Sequence, residues 1–542
     1  MKKTFTLALV ILTVLAAIPA FADLQNVIVG GSIRIRGNYY TSPEGPDSWT
    51  ARNPLFQGPW VNSFRPVGNP LAGVRWLPQP GRLGIGSWVD WDDSGAGLKF
   101  VEQRTKVNVR ADFTDQVSAF IELDSYDIWG EDFRSNYLTG IDGRAWTGDD
   151  VEVYQAYIEV NEMFGYPIRS RVGRQELKFG SGWLISPMDT AAGFTGTSFD
   201  AMRWTYTNDM FTVDAFHAKL AERGTIEEDA DVDLTGIYGS YLGIENVTID
   251  AYWFYLRDAL ALKATNLGWF GEWVEDLFGV DDYDPTTLHT VGLRGAGTMG
   301  AFDFEAEAAF QFGDAHAVGA TFAGAGLASP YGPDDAEYDH WAANLEVGYT
   351  FDMAWTPRVY LGGAYFGGED NREVDFWQWL GAVACPFWSA DSSVSFNRMF
   401  SGWEYSEFLE NSDLSNVWIA RGGVSVNPTE KLNVKLTAAY FQCLEPYDIT
   451  WPSYYLFGSR VNWFYPFSFI TQENDDGLGW EVGLYGTYKY SEDLSFEVGY
   501  AHFFVDDGLS DGNFVNGNGL FFNGGTSDDD PDYVYFETKL AF

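Results

Sequence analysis

Residues 101–112 cannot form a stable helix. Glu102, Arg104, Lys106, Asn108 and Arg110 alternate with Val101, Thr105, Val107, Val109 and Ala111, a period of two that gives a strand one polar and one apolar face. On a helix the same charges would be spread around the whole circumference. The pattern recurs along the chain. In residues 301–313, Asp303, Glu305, Glu307 and Gln311 oppose Phe302, Phe304, Ala306, Ala308, Phe310 and Phe312; in residues 432–441, Asn433, Lys435 and Thr437 oppose Leu432, Val434, Leu436, Ala438 and Tyr440. Such segments, each of about ten residues, follow one another from Val27 onward, as the wall of a spanning barrel requires.

A strand wet on one face and apolar on the other needs water on one side and a hydrophobic medium on the other. Beyond Ala22 no apolar run is long enough for a spanning helix. Aromatic residues make up 17% of the chain and glycines number 59, while the hydrophobic fraction, 46%, is ordinary; the apolar residues are therefore distributed along strands. These features predict an all-β fold, a transmembrane antiparallel up-and-down β-barrel. A secreted solenoid or sandwich array is the competing architecture, and no fixed repeat period supports it. The first 22 residues read as a secretory leader, with a basic Met1-Lys2-Lys3, an apolar stretch from Phe5 to Ile18 and a small-x-small Ala20-Phe21-Ala22. The expected division is a signal peptide at 1–22 and a single barrel domain at 23–542.

Turn-forming residues separate the strands at short intervals on one side: Phe113-Thr114-Asp115-Gln116, Thr207-Asn208-Asp209, Gly243-Ile244-Glu245-Asn246, Asn427-Pro428-Thr429-Glu430 and Ser491-Glu492-Asp493. Between them lie long segments at 41–99, 259–284, 367–413 and 444–477. Short periplasmic turns, long extracellular loops and about 18 strands fit an outer-membrane barrel. The last strand, 533–542, sets Val534, Phe536, Thr538, Leu540 and Phe542 on one face, like the terminal signal read by the outer-membrane barrel assembly machinery. Tyr39, Tyr40, Trp129, Trp204, Tyr206, Trp253, Tyr255, Tyr349, Trp355, Tyr488 and Tyr500 are the expected interfacial girdle, placing the protein among outer-membrane lipid and lipopolysaccharide.

The inferred wet faces carry both signs of charge. Arg34, Arg36, Arg104, Lys106, Arg110, Arg171, Arg203, Arg294 and Arg358 form the basic set; Glu102, Glu122, Asp124, Glu159, Asp250, Glu305, Glu307, Glu346, Glu481 and Glu497 form the acidic set. They point to a water-filled channel whose charges select the solute, or to charge pairs that fill the lumen. A formal net charge of −44 excludes nucleic acid as a partner. The acidic excess lies in loops, as in Glu227-Glu228-Asp229, Asp281-Asp282-Tyr283-Asp284, Asp334-Asp335 and Asp528-Asp529-Asp530. Solvated loop charge is one reading of these runs and Ca²⁺ ligation the other, with Asp528, Asp529 and Asp530 as the metal candidates; no other cofactor is expected. Loop aromatics such as Trp76, Trp88, Trp91, Trp377, Trp379 and Trp463 either stack on sugar rings or pack the loops into a plug, and residues 267–278 read as a loop helix. Cys385 and Cys443 can form at most one bridge. No catalytic signature is present; Asp339-His340 and Asp314 with His316 are close acid–histidine pairs near the predicted outer rim without a matched nucleophile, and the chain is not expected to be an enzyme.

One stretch has a family likeness. Gly173-Arg174-Gln175-Glu176-Leu177-Lys178-Phe179-Gly180, followed by Thr197-Ser198-Phe199-Asp200-Ala201-Met202-Arg203, resembles the alginate-export family of bacterial outer-membrane porins. After the motif glycine this chain continues Ser181-Gly182-Trp183-Leu184, where relatives commonly carry an acidic–basic stretch. The resemblance implies an eighteen-stranded, monomeric barrel that passes a polysaccharide or smaller solute. Arg171, Arg174 and Arg203 are then lumen candidates, and with Asp200, Arg104, Lys106, Arg110, Arg294, Glu305 and Glu307 they form the expected selectivity set. Arg171 and Arg174 have opposite parity, as do Asp200 and Arg203, so a bulge near Gly173 or a rim position for one of each pair is required. The expected function is a passive channel for a saccharide, polysaccharide or small polar solute, with arginines in the lumen and acidic outer loops; the alternative is a plugged barrel serving as a surface adhesin or glycan- or Ca²⁺-binding protein.

Overall fold

The computed structural model describes residues 24–41, 97–113, 116–129, 151–187, 196–222, 231–258, 285–314, 331–368, 390–409, 414–445, 475–510 and 530–542, with short strand segments between 448 and 473. The expected leader, the expected loop helix at 267–278 and most of the acidic loop runs lie outside these residues.

Eighteen strands make the wall. They are β1 (Asn26–Thr41), β2 (Gly97–Asp112), β3 (Val117–Ile128), β4 (Glu152–Val160), β5 (Ile168–Gln175) and β6 (Phe199–Thr207). Next come β7 (Phe211–Ala221), β8 (Val232–Ile244), β9 (Val247–Asp258), β10 (Thr286–Met299), β11 (Phe302–Asp314) and β12 (Tyr331–Thr350). The last six are β13 (Arg358–Phe366), β14 (Val417–Thr429), β15 (Leu432–Cys443), β16 (Gly477–Lys489), β17 (Leu494–Val505) and β18 (Asp532–Ala541). Each pairs antiparallel with its neighbours in sequence, and β18 returns to β1, with Tyr533 opposite Tyr40 and Ala541 opposite Ser32. The sheet is thus a closed cylinder without a free edge, and its backbone polar groups bond to one another instead of facing hydrocarbon. A short extra strand, Ala390–Val394, runs parallel to the start of β12.

The connections alternate as the turn chemistry requires. The turns at 208–210, 245–246, 300–301 and 430–431 are tight, and Asn208 closes one of them by accepting the Met210 and Phe211 N–H groups, each at 2.8 Å. All short connections fall at one end of the cylinder, which is the periplasmic end of an outer-membrane barrel.

Side-chain parity divides inside from outside. On β1, Arg34, Arg36, Asn38 and Tyr40 are buried within the barrel while Val27, Val29 and Tyr39 are exposed on its outer wall. The outward series continues with Val107, Ile121, Ile158, Met202, Leu293, Leu361 and Phe536, a lipid-facing band. Tyr39, Trp129, Trp204, Tyr206, Trp355, Tyr488 and Tyr500 are exposed as a girdle needs. Tyr40 is the exception among the expected girdle residues: its even position turns it inward, where it stacks on Tyr533 at 4.2 Å between ring centroids. The hydrophobic core lies inside the cylinder, built by segments that fold into it.

β5 stops at Gln175, because residues 176–187 turn into the lumen. The extra residue of this region is on the neighbouring strand: pairing jumps from Glu122–Gln155 to Leu123–Val153, leaving Tyr154 as a bulge on β4. The β5–β6 ladder runs unbroken through Gly173. Gly173 itself holds φ +127°, and a Cβ there would sit 2.3 Å from the Ala156 carbonyl oxygen, so only glycine lets β4 and β5 approach this closely. Gly173→Val is expected to lower barrel stability by on the order of 1–3 kcal/mol, measured by urea unfolding in liposomes; an unchanged midpoint would contradict this account of the strand pair.

Candidate functional site

The inward faces of β1 to β6 carry most of the predicted cations, each met by a carboxylate, on a neighbouring strand for all but Arg110. Glu537 on β18 accepts from both Arg34 and Arg36, each Nε at 2.8 Å. Asp124 on β3 takes Arg104 in a fork, Nε and Nη2 at 2.8 and 2.7 Å from Oδ2. Lys106 stands 3.6 Å from Glu122 and 3.7 Å from Glu176, with the Tyr154 ring 4.3 Å beneath its ammonium. Arg110 bonds Asp112 at 2.9 Å. Arg171 and Arg203 face each other across β5 and β6, but each has its own acid, Glu159 at 2.6 Å and Asp214 at 2.8 Å. A buried charge without a partner would cost several kcal/mol, so the cross-strand acids let this wall carry so many cations.

Across the lumen the balance reverses. Arg294 reaches Asp250 at 2.7 Å and Glu305 at 2.9 Å, with Glu307 3.8 Å away; Glu307 also accepts the Tyr252 hydroxyl at 2.8 Å. The expected residues Arg294, Glu305 and Glu307 thus form one cluster. Glu346 joins Arg358 and Arg421, both at 2.9 Å. The inner wall thus carries many paired charges, and other inward carboxylates such as Glu481 and Glu497 accept from Ser, Thr and Tyr hydroxyls.

Arg174 and Asp200 do not belong to it. With β5–β6 in register and alternation unbroken, they project from the outer wall beside the exposed Val172 and Met202. There they pair with each other, Nε to Oδ1 at 2.8 Å and Nη2 to Oδ2 at 3.0 Å. The rim position is the resolution of the parity conflict. Asp200 also lies opposite Lys219 of β7, and Lys219 opposite Asp233 of β8, so charges of alternating sign ring this part of the outer wall.

Two segments cross the lumen. The first, 176–187, leaves β5 and places Phe179 against Phe216 and Tyr238, at 4.9 and 5.2 Å between centroids, and Trp183 against Phe366. Gly180 and Gly182, at φ +55° and +85°, give the tight course that brings Trp183 inward. The second, 395–409, meets it: Ser186 N–H donates to the Phe400 carbonyl and Phe400 N–H to the Leu184 carbonyl, both at 2.9 Å. The Trp183 indole N–H donates to the Tyr405 hydroxyl at 3.0 Å, and Tyr405 donates to Asn344 of β12 at 3.0 Å. The second segment is pinned to the far wall by Ser406 donating to Glu481 at 2.6 Å and by Phe408 on Phe503. Arg398, fully buried, lies over the Phe366 and Tyr405 rings. Trp183, Arg398, Tyr405 and Ser406 are absent from the sequence-based set. The only local signal for them is the run of small residues around Trp183.

The remaining candidates do not converge. Asp528 and Asp529 lie outside the described residues; Asp530 accepts the Val505 N–H at 2.8 Å and stands 3.8 Å from His502. Among the described residues no group of three or more His, Cys, Asp or Glu side chains could hold a metal ion. Asp339 and His340 are consecutive on β12 and project to opposite faces, and His316 lies outside the described residues. Cys443 is buried, its thiol near the Glu445 carbonyl at 3.4 Å, while Cys385 lies outside the described residues.

A sequence profile described as alginate export matches residues 92–522. The chain belongs to the alginate export family. It is accordingly a porin-like barrel of the bacterial outer membrane, a channel for solute passage. Comparison with curated proteins gives no match. Among solved structures it is similar to OccAB4 of Acinetobacter baumannii, 9% identical, covering 95% of this chain and 98% of that chain at a TM-score of 0.45. OccK8 (OprE) of Pseudomonas aeruginosa is 12% identical, with 95% and 98% covered at a TM-score of 0.45. OmpT of Vibrio cholerae is 9% identical, with 96% and 100% covered at 0.35. Likeness at this level says nothing about solutes.

Because Arg171 faces the lumen and Arg174 the outer wall, Arg171→Ala is expected to change ion selectivity in planar bilayers and Arg174→Ala to leave it unaltered. Equal effects of the two would contradict the assignment of faces.

Proposed function

We propose that this barrel is a passive channel for a saccharide or small polar solute of low net charge, and that the meeting of segments 176–187 and 395–409 is its constriction. The observation that carries this reading is the pairing of the inner wall. Arg104, Lys106, Arg171, Arg203 and Arg294 each face a carboxylate, so the wall offers a solute alternating donors and acceptors and little uncompensated positive charge. A hydroxyl-rich solute exchanges water for such a surface at small cost, because each of its hydroxyls can both donate and accept. A polyanion would have to compete with the resident carboxylates for every arginine, and the acidic loops add repulsion. Arg104, Lys106, Arg110, Arg171, Arg203, Arg294, Glu305 and Glu307 are the selectivity residues of this reading; Arg174 and Asp200 are left out. Liposome swelling with neutral and uronate oligosaccharides tests it: neutral sugars should enter faster, and preferential entry of the uronates would overturn it.

A second reading has its own observation. The two inner segments are tied by backbone hydrogen bonds and packed aromatics, which suits a plugged barrel whose outer loops bind glycans. Swelling separates the two, since a permanently plugged barrel admits no sugar and Trp183→Gly would be needed to open it.

The constriction also carries a titratable group. Burial, reinforced by Glu404, pushes the Glu407 carboxyl up to about 7. A carboxyl raised in the packed state holds its proton there at pH values where the released loop would lose it. Packing is thus favoured in acid and weakens as pH rises from the ordinary carboxylate range toward about 7. Conductance is expected to increase over that window in the native barrel and to rise less steeply with pH in Glu407→Gln.

A further inference from the structure

The outer wall is interrupted at one place. Where β18, β1 and β2 meet, outward positions fall in two rows: Phe536, Gly37 and Val101 in one, and Val534, Tyr39 and Lys99 in the next, closer to the extracellular end. Gly37 has no side chain, and a Cβ there would meet nothing nearer than a Val101 methyl at 4.0 Å. The missing side chain leaves a groove of about 470 Å³ in the lipid-facing surface, walled by Tyr39, Val101, Trp129, Val498, Val534 and Phe536. Trp129 is held over one side by its indole N–H donating to Gln103 at 3.0 Å and its backbone N–H to Val101 at 2.7 Å. Tyr39, Trp129, Val498, Val534 and Phe536 are exposed, as hydrocarbon contact demands, and Val101 is half-buried beside Gly37.

At the extracellular end of the groove stands Lys99, its ammonium 5.1 Å from the Tyr39 ring centroid. Two other outward cations near this end of the wall, Arg174 and Lys219, are neutralised by Asp200 and by Asp231 and Asp233. Among the described residues no carboxylate pairs with Lys99. A cation above an apolar groove, at the level of the outer leaflet, matches an acyl chain surmounted by a phosphate. On a chain of net charge −44, an anionic lipid headgroup is repelled on average and needs such a local cation to settle.

We propose that this groove is a docking site for one molecule of lipopolysaccharide, with an acyl chain lying over Gly37 and a lipid A phosphate on Lys99. The site is on the outside of the wall and independent of what passes through the lumen. The test is native mass spectrometry of the full barrel in detergent, titrated with bisphosphorylated lipid A. One tightly held lipid is expected on the native barrel. Gly37→Leu, which fills the groove, and Lys99→Ala should each weaken retention by about fivefold or more, and Lys99→Arg should preserve it. Dephosphorylated lipid A should bind the native barrel as weakly as the phosphorylated form binds Lys99→Ala. Heat-modifiable gel mobility reports folding; if Gly37→Leu fails to fold, Val101→Trp closes the groove from its side. Equal retention by native, groove-filled and Lys99→Ala barrels, or binding indifferent to phosphate, would overturn the proposal.

Discussion

The closure of β18 onto β1 is the interaction on which everything else depends. In hydrocarbon a backbone N–H or C=O without a partner costs several kcal/mol, and an open sheet would expose a whole row of them. Once the ladder from Tyr40–Tyr533 to Ser32–Ala541 is formed, every strand has two neighbours and each residue must take one of two sides. Burial of Arg34 and Arg36 and exposure of Val27 and Val29 are consequences of that single closure.

Closure also explains why the lumen can hold so many charges. Antiparallel register sets inward residues of neighbouring strands side by side, so a carboxylate on β3, β4 or β7 lies within reach of an arginine on β2, β5 or β6. The Arg104–Asp124 and Arg171–Glu159 pairs need no loop to bring them together. The two inner segments are a different matter. They obtain their contacts from walls far apart in sequence: segment 176–187 joins Glu176 near Lys106 to Trp183 on Phe366, and segment 395–409 links Asn344 to Glu481 through Tyr405 and Ser406. Together they tie distant parts of the wall to one another through the interior of the barrel.

Much of the wall was legible beforehand. Alternation alone placed Glu102, Arg104 and Lys106 on one face, and the same rule assigns Asp303, Glu305 and Glu307 to the lumen. Where the rule was pressed against a family likeness, the rule was the better guide: Arg174 and Asp200 share a motif with Arg171 and Arg203, yet parity sends them outward. Tyr40 teaches the same lesson, since an aromatic at a strand end is a girdle residue only where the parity of its own strand turns it outward. Trp183, Arg398 and Tyr405 could not be found this way, because they lie on irregular backbone where no period relates a residue to its direction.

The sequence by itself determined the architecture and the compartment, because a period of two repeated along the chain fits only a strand with one wet and one apolar face. Only the tertiary structure decided which arginine meets which carboxylate, that two segments turn inward to meet at Ile185 and Phe400, and that the absence of a side chain at Gly37 opens a groove in the outer wall. Those outcomes depend on register and on the three-dimensional proximity of residues hundreds of positions apart, such as Arg34 and Glu537, and local patterning carries no record of either.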